Sequence, residues 1–169
     1  MAMADRHSLL DPRGPRFAAW LTTAVLVAVL VTGYWWLALA QAVVFAVTAY
    51  RPRWGPYSLI YRAWVAPRLG PPSELEPAAP VRFAQLVGLG FAAVATAGYL
   101  SGAVVVGAVA AAFALIAAFL NAAFGLCLGC EAYLLIRRLT NRPLPATVAG
   151  GDLISTSETT ATKTEGAHA

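Results

Sequence analysis

"FAAWLTTAVLVAVLVTGYWWLALAQAVVFAVTAY", residues 17–50, contains no charged side chain in thirty-four positions. As one helix it would be roughly 51 Å long at about 1.5 Å per residue, well beyond a hydrocarbon core of about 30 Å. A hairpin fits that thickness better. Thr32-Gly33-Tyr34-Trp35-Trp36 supplies the fold point, because glycine relaxes the backbone and aromatic rings suit the headgroup boundary. A second uncharged run, from Phe83 to Cys130, is longer still and breaks at Gly98-Tyr99-Leu100-Ser101-Gly102. The two runs predict four spans, at about 17–33, 35–50, 83–99 and 103–125.

The composition agrees. The chain is 59% hydrophobic and 12% charged, against about a quarter charged in ordinary soluble domains. A signal peptide ending at Ala38-Leu39-Ala40 is disfavoured, since the apolar stretch before it is too long and hydrophobicity continues past it.

The cations set the expected orientation. Arg6, Arg13 and Arg16 precede span one, and Arg51, Arg53, Arg62, Arg68 and Arg82 separate spans two and three. Arg137, Arg138, Arg142 and Lys163 follow span four, while the two tight turns carry no charge. With four spans these regions share one face, which the positive-inside rule makes cytoplasmic, with both termini on that side. The net charge of +4 is then topology with some attraction to anionic headgroups. The cations are scattered beside apolar anchors, so nucleic acid is not an expected partner; the lipid bilayer is.

The halves resemble each other. "PRFAAWLTTAVLVAVLVTGY" (15–34) matches "VRFAQLVGLGFAAVATAGY" (81–99) in its opening Arg-Phe-Ala and its closing Gly-Tyr. "YSLIYRAWV" (57–65) corresponds loosely to "EAYLLIRRL" (131–139). Tyr57, Ile60, Tyr61, Trp64 and Val65 form one stripe at helical spacing, as do Ala132, Leu135, Ile136 and Leu139. Segments of that kind lie in the headgroup plane with their arginines reaching phosphate.

The expected fold is therefore an all-α integral membrane protein with four transmembrane helices. They form two parallel duplicated hairpins, each followed by a short interfacial amphipathic helix. The expected organisation is an N-terminal cytoplasmic segment (1–16), a first hairpin repeat with its interfacial helix (17–65), and a proline-rich cytoplasmic linker (66–80). A second hairpin repeat with its own interfacial helix (81–140) and a disordered cytoplasmic tail (141–169) complete it.

The copies differ at the exit of the second helix. Where the first turns through Gly55 and Pro56, the second holds Cys127-Leu128-Gly129-Cys130, the only two cysteines in the chain. Gly125 and Gly129 flank Cys127 in a small-xxx-small arrangement that would let another helix or a partner approach the sulfurs, with Asn121 beside them. A helix starting at Cys130 would make Cys130 the more thiolate-prone member and Cys127 the resolving one. Cytoplasmic thiols are kept reduced, so a reactive or transient pair is expected in place of a structural disulfide. The alternative is that the two cysteines are small packing residues.

Other chemistry lacks its residues. Zinc wants four ligands, and beyond the two cysteines the chain offers only His7 and His168, one in each tail. Hence neither a metal nor a cofactor is expected. No acid or histidine lies at mid-membrane for a proton relay. Nucleophilic triads, phosphate loops and paired carboxylates are absent. Thr22, Thr23, Gln41, Thr48, Gln85, Thr96 and Asn121 are expected to bond between helices. Ala110, Ala114, Ala118 and Ala122 form a packing seam.

Four segments, "DPRGPRFAA" (11–19), "PRLGPP" (67–72), "VRFAQ" (81–85) and "AAFLNAAFGLCLGCEAYLL" (117–135), carry a family likeness. Over about 11–138 the chain resembles a group of small bacterial, notably actinobacterial, membrane proteins grouped as the domain of unknown function DUF4395. The resemblance implies a bacterial inner-membrane protein with this cysteine motif near its end, and implies no reaction. It points to thiol or sulfur traffic with a cytoplasmic thioredoxin-like or sulfurtransferase partner. Three functions stay open: thiol redox or sulfur transfer through Cys127 and Cys130, a non-enzymatic assembly subunit, or a small-solute permease. The last would need a homo-oligomer, because four short spans barely enclose a path.

Overall fold

The computed structural model describes residues 9–70, 74–140 and 148–149. Four apolar helices dominate it: α1 (Arg13–Thr32), α2 (Trp35–Tyr50), α5 (Ala78–Leu100) and α6 (Val104–Phe124). Three of these, α1, α5 and α6, are long and apolar enough to cross a membrane, whereas α2 has 16 residues. The turn between α1 and α2 falls at Gly33, whose φ of 66° caps α1 in the left-handed region. That conformation carries no penalty for glycine. Both α1 and α5 start four or five residues before the uncharged runs, after Pro12 and Pro77, so each helix takes its flanking arginine into its first turns.

A short helical rim follows α2. A 3₁₀ turn (Pro52–Trp54) leads into α3 (Pro56–Ile60), a π-turn (Tyr61–Val65) and α4 (Ala66–Leu69). Pro67 explains the π-turn: its ring would collide with the carbonyl four residues back and it has no N–H to offer. The chain loosens before it, and Ala66 N–H donates to the carbonyl of Tyr61. After α6 comes α7 (Leu128–Leu139).

The proline-rich region read as a linker (66–80) holds α4, a short strand and the start of α5. That strand, β2 (Glu74–Pro77), pairs antiparallel with β1 (Leu9–Leu10) and with β3 (Val148–Ala149). A three-stranded patch thus joins residues 9–10 and 148–149 to the middle of the chain, which helical periodicity alone cannot foresee. The remainder of the expected tail lies outside the described residues.

The four helices form a ring whose most extensive contacts are α2 with α5, α5 with α6 and α1 with α6. One core cluster takes Val29 from α1, Ala38 from α2, Ala95 from α5 and Ala110 and Ala111 from α6, all at the end bearing the tight turns. Small residues allow close approach there. A Cβ on Gly98 would stand 2.6 Å from the backbone nitrogen of Gly107. Gly98, read from sequence as part of the turn, is therefore an interior residue of α5, and its hydrogen lets the backbones meet. The turn itself begins at Ser101, with Gly102 at a φ of 80°.

Two ring pairs recur at the opposite end. Phe17 meets Tyr61 with centroids 5.8 Å apart at 44°, and Phe83 meets Tyr133 at 5.8 Å and 47°. Tyr61 is buried, while its stripe-mates Ile60 and Trp64 are 46% and 71% exposed, so the first amphipathic stripe is divided between core and surroundings. The second, on α7, leaves Ala132, Leu135, Ile136 and Leu139 all exposed. Arg137 stays with the core, donating to Tyr133 Oη at 2.8 Å.

Tyr61 Oη also donates to Asp11 Oδ2 at 2.9 Å, clasping the N-terminal segment to the rim. Burial first, then the hydrogen bond to Asp11 and its charge, push this hydroxyl from 10.0 up to about 12, against a smaller pull from Arg13.

Two outcomes are expected. Gly98→Ala loses about 1–3 kcal/mol through overpacking at Gly107, read as a lower thermal midpoint in mild detergent. Gly90→Ala, where a Cβ meets nothing within 4 Å, is neutral or stabilising by up to ~1 kcal/mol. For Tyr61 the raised value favours the protonated phenol in the folded chain. Its contribution is complete below the unfolded value of 10.0 and disappears as pH climbs towards about 12. Phenolate absorbance should show a component titrating at about pH 12 that Tyr61→Phe removes; a titration unchanged by Tyr61→Phe would mean the clasp does not form.

Candidate functional site

The cysteines sit where one helix stops and the next begins. Gly125 ends α6 with a φ of 72°, donating its N–H to the carbonyl of Asn121 at 3.0 Å. The next helix, α7, begins at Leu128 with Cys127 as its extended N-cap, and Cys127 Sγ accepts the N–H of Cys130 at 3.4 Å. The carbonyl of Cys127 accepts the N–H of Glu131 at 2.9 Å. A sulfur thus takes the place that a serine or aspartate oxygen usually holds at a helix start.

Three sequence expectations bear on this geometry. First, Cys127 and Cys130 lie paired as a disulfide; a reactive or transient pair was expected, and the pairing leaves that reading where it stood. The first turn of α7 brings their Cα atoms to 5.1 Å, inside the ordinary range for a disulfide, so the ring closes without backbone movement. Second, the helix starts at Leu128, so Cys127 and not Cys130 occupies the cap. When the pair is reduced, the N–H groups and dipole of the first turn bear on Cys127 as a thiolate.

Third, Gly125 and Gly129 do not form one open face. A Cβ on Gly129 would lie 2.6 Å from Ala84 Cα and Cβ, so the approach that glycine permits is made by α5 of the same chain. Gly125 is the left-handed cap, and a Cβ there would lie 3.7 Å from the guanidinium carbon of Arg16.

All five residues singled out from the sequence, Asn121, Gly125, Cys127, Gly129 and Cys130, line one open cavity of about 700 Å³. It runs between α1, α2, α5 and α6, with α7 and the rim at its mouth. Its deep wall carries Phe45, Phe91 and Phe113, and Phe91 stacks on Phe113 at 6.0 Å. Gln85 and Asn121 supply carboxamides, and Arg16, Glu76 and Glu131 also line it. Among the described residues no cluster of three or more His, Cys, Asp or Glu could hold a metal ion.

The polar residues of the spans divide in two. Gln41, 1% exposed, donates Nε2 to Thr22 Oγ1 at 3.4 Å and accepts from Tyr57 Oη at 2.8 Å. This chain crosses from α1 through α2 to α3, and burial raises the Tyr57 hydroxyl above its usual 10.0. Thr23, Thr48 and Thr96 instead donate to carbonyls four residues back in their own helices, at 2.7–2.8 Å. The alanine stripe of α6 is divided too. Ala110 packs in the core, whereas Ala114 and Ala118 line the cavity.

Sequence reasoning missed Arg16 and Tyr57 at this site. Arg16 was read for topology alone and Tyr57 for its apolar stripe. The available signal was Gln41: an amide in an uncharged helix has to find a partner.

After reduction, limiting iodoacetamide near neutral pH should modify Cys127 faster than Cys130, by roughly tenfold. Peptide mass mapping reads the order. Equal rates, or Cys130 first, would remove the N-cap assignment.

No curated protein and no solved structure matches the chain. Residues 10–138 match the family described as Domain of unknown function (DUF4395), a span that takes in the four apolar helices, the rim, α7 and both cysteines. The chain belongs to that family.

Proposed function

We propose that this is a four-span membrane protein that exchanges thiols and disulfides, or carries sulfur, through Cys127 and Cys130 at its arginine-rich end. The observation that carries the reading is the disulfide closed at the N-cap of α7, on the rim of the cavity. A packing pair needs neither a helix start nor a cavity; an exchanging pair benefits from both. In the exchange, a partner thiolate attacks one sulfur of the disulfide and forms a mixed disulfide. A second partner thiol then releases the reduced pair, so the partner is oxidised and this chain gains two electrons and two protons. The reverse reaction oxidises this chain.

Four spans require α2 to cross as well. At 16 residues it gives about 24 Å of helix, a mismatch that local thinning of the bilayer can absorb at small cost. Its place in the helix ring between α1 and α5 supports that assignment. Internal duplication is supported by the matched Phe17–Tyr61 and Phe83–Tyr133 pairs. The packing of α1 on α6 and α2 on α5 supports it as well, since exchanging the halves converts one contact into the other. In this alignment Gly55, the N-cap of α3, is the counterpart of Cys127, so the thiols are an addition to one half. Positive-inside orientation puts Arg13, Arg16, Arg82, Arg137 and Arg138 with the dithiol on the cytoplasmic face. A soluble thioredoxin-like or sulfurtransferase protein is then the partner within reach.

Inverted membrane vesicles carry the test. A membrane-impermeant maleimide should label both thiols after mild reduction and neither after oxidation. The Cys130→Ser variant should trap a mixed disulfide through Cys127 that dithiothreitol releases. Labelling only in right-side-out vesicles would overturn the orientation, and thiols inert to reductant and oxidant would overturn the exchange.

A further inference from the structure

The cavity behind the dithiol is suited to a ligand that a soluble partner does not supply. Its volume of about 700 Å³ lies within the range of small-molecule sites. It reaches from the cysteines down to Phe91 and Phe113, and Phe113 stands eight residues before Asn121 on α6, about 12 Å deeper at roughly 1.5 Å per residue. Phe91 and Phe113 line it while staying 36% and 56% exposed, so the cavity is open along the flank between α5 and α6. In a bilayer that flank faces lipid, giving a route that an apolar molecule can take without crossing water.

Charge narrows the class. Arg16 is the cation on the wall, and Glu76 and Glu131 are there with it. An anion would meet two carboxylates for one guanidinium and a cation would meet mostly hydrocarbon, so an uncharged ligand fits best. The carboxamides of Gln85 and Asn121 sit at the polar end, where they can donate to carbonyl oxygens, and the aromatic wall below can stack a planar ring. The group at the mouth is a dithiol that gains or loses two electrons together with two protons. A bilayer-soluble molecule that does the same is a quinone.

We propose that the cavity bounded by Phe91, Phe113, Gln85, Asn121 and the Cys127–Cys130 pair binds a membrane quinone that exchanges electrons with that pair. The inference rests on the thiol-exchange reading above. Written in the oxidising direction, the two S–H bonds of the reduced pair break and the Cys127–Cys130 S–S bond forms. Two electrons and two protons pass to the ring, whose carbonyl oxygens become the hydroxyls of the quinol. Cys127 gives up its proton first and Cys130 gives up its own as the S–S bond closes, so both protons taken up by the quinol come from the pair. The soluble partner would then re-reduce the pair, so electrons run from cytoplasmic thiols to the lipid phase.

The test uses the full chain, purified and reconstituted into phosphatidylcholine vesicles, with a short-tailed benzoquinone as probe. The probe should bind saturably, and adding it to the pre-reduced protein should convert quinone to quinol in equal amount to the disulfide formed. Ala117→Phe combined with Ala118→Phe fills the cavity wall and should weaken binding by about tenfold or more. Gln85→Leu, which keeps the shape and removes the donor, should weaken it by about five- to tenfold while impermeant-maleimide labelling of the reduced thiols stays unchanged. Cys127→Ser with Cys130→Ser should form no quinol, while saturable binding of the probe persists. Absence of saturable binding to the wild-type chain, or binding insensitive to both wall variants, overturns the quinone site and leaves thiol exchange with the soluble partner standing. Wall-dependent binding with no quinol formed from the reduced wild-type protein also overturns the electron-transfer proposal. If the thiols then fail to react with any disulfide reagent, the exchange reading falls as well.

Discussion

Hydrocarbon offers a peptide N–H no partner, and that single deficiency governs this chain. Segments with no charge have to satisfy their backbone internally, which selects helices, and α1, α5 and α6 are long enough to cross on that basis. Once helical, they cannot be drawn together by burial of oil from water, because lipid is as apolar as they are. Close approach of backbones takes over. The meeting of Gly98 with Gly107, and the alanines that form most of the cluster around Val29, are that substitute. The tight core occupies the end with the short turns.

At the other end the helices hold themselves apart. Larger residues, the inserted rim and α7 replace the small-residue contacts, and the cavity is the space that results. Gly129 against Ala84 brings α7 onto α5, while the capped turn at Gly125 aims the start of α7 at the cavity mouth. The dithiol position therefore follows from two glycines doing different work: one removes a Cβ from a crossing, and the other supplies a positive φ. The Thr22–Gln41–Tyr57 chain fixes the rim to α1 and α2 on the opposite wall.

Under the proposed topology this arrangement sets a pair of sulfurs at a boundary between two reservoirs of reducing equivalents. In the proposed reading, soluble thiols reach them from the arginine side and bilayer-soluble molecules reach the cavity behind them. A helix start is a suitable place for such a pair, because it holds the thiolate through backbone N–H groups without needing a buried cation. Gly55, at the start of α3, also precedes a helix but has no side chain with which to cap it.

Much was legible before any coordinates, for definite reasons. Charge-free length gives the helices, since it reports directly on solvent, and Gly33 before Tyr-Trp-Trp gives the first turn because left-handed backbone favours glycine. The Cys-x-x-Cys spacing gives the pairing of Cys127 with Cys130, because one turn at a helix start brings two sulfurs together. What the sequence could not show depends on which segments lie side by side in space. The start of α7 at Leu128, which makes Cys127 and not Cys130 the cap, follows from where α6 ends at Gly125. The use of Gly129 by Ala84 and the pairing of residues 9–10 with 74–77 and 148–149 join parts of the chain with no common period. The cavity is likewise a property of four helices at once. One-dimensional pattern carries solvent preference and local backbone freedom; tertiary packing alone decides which face meets which, and where the space between them is left.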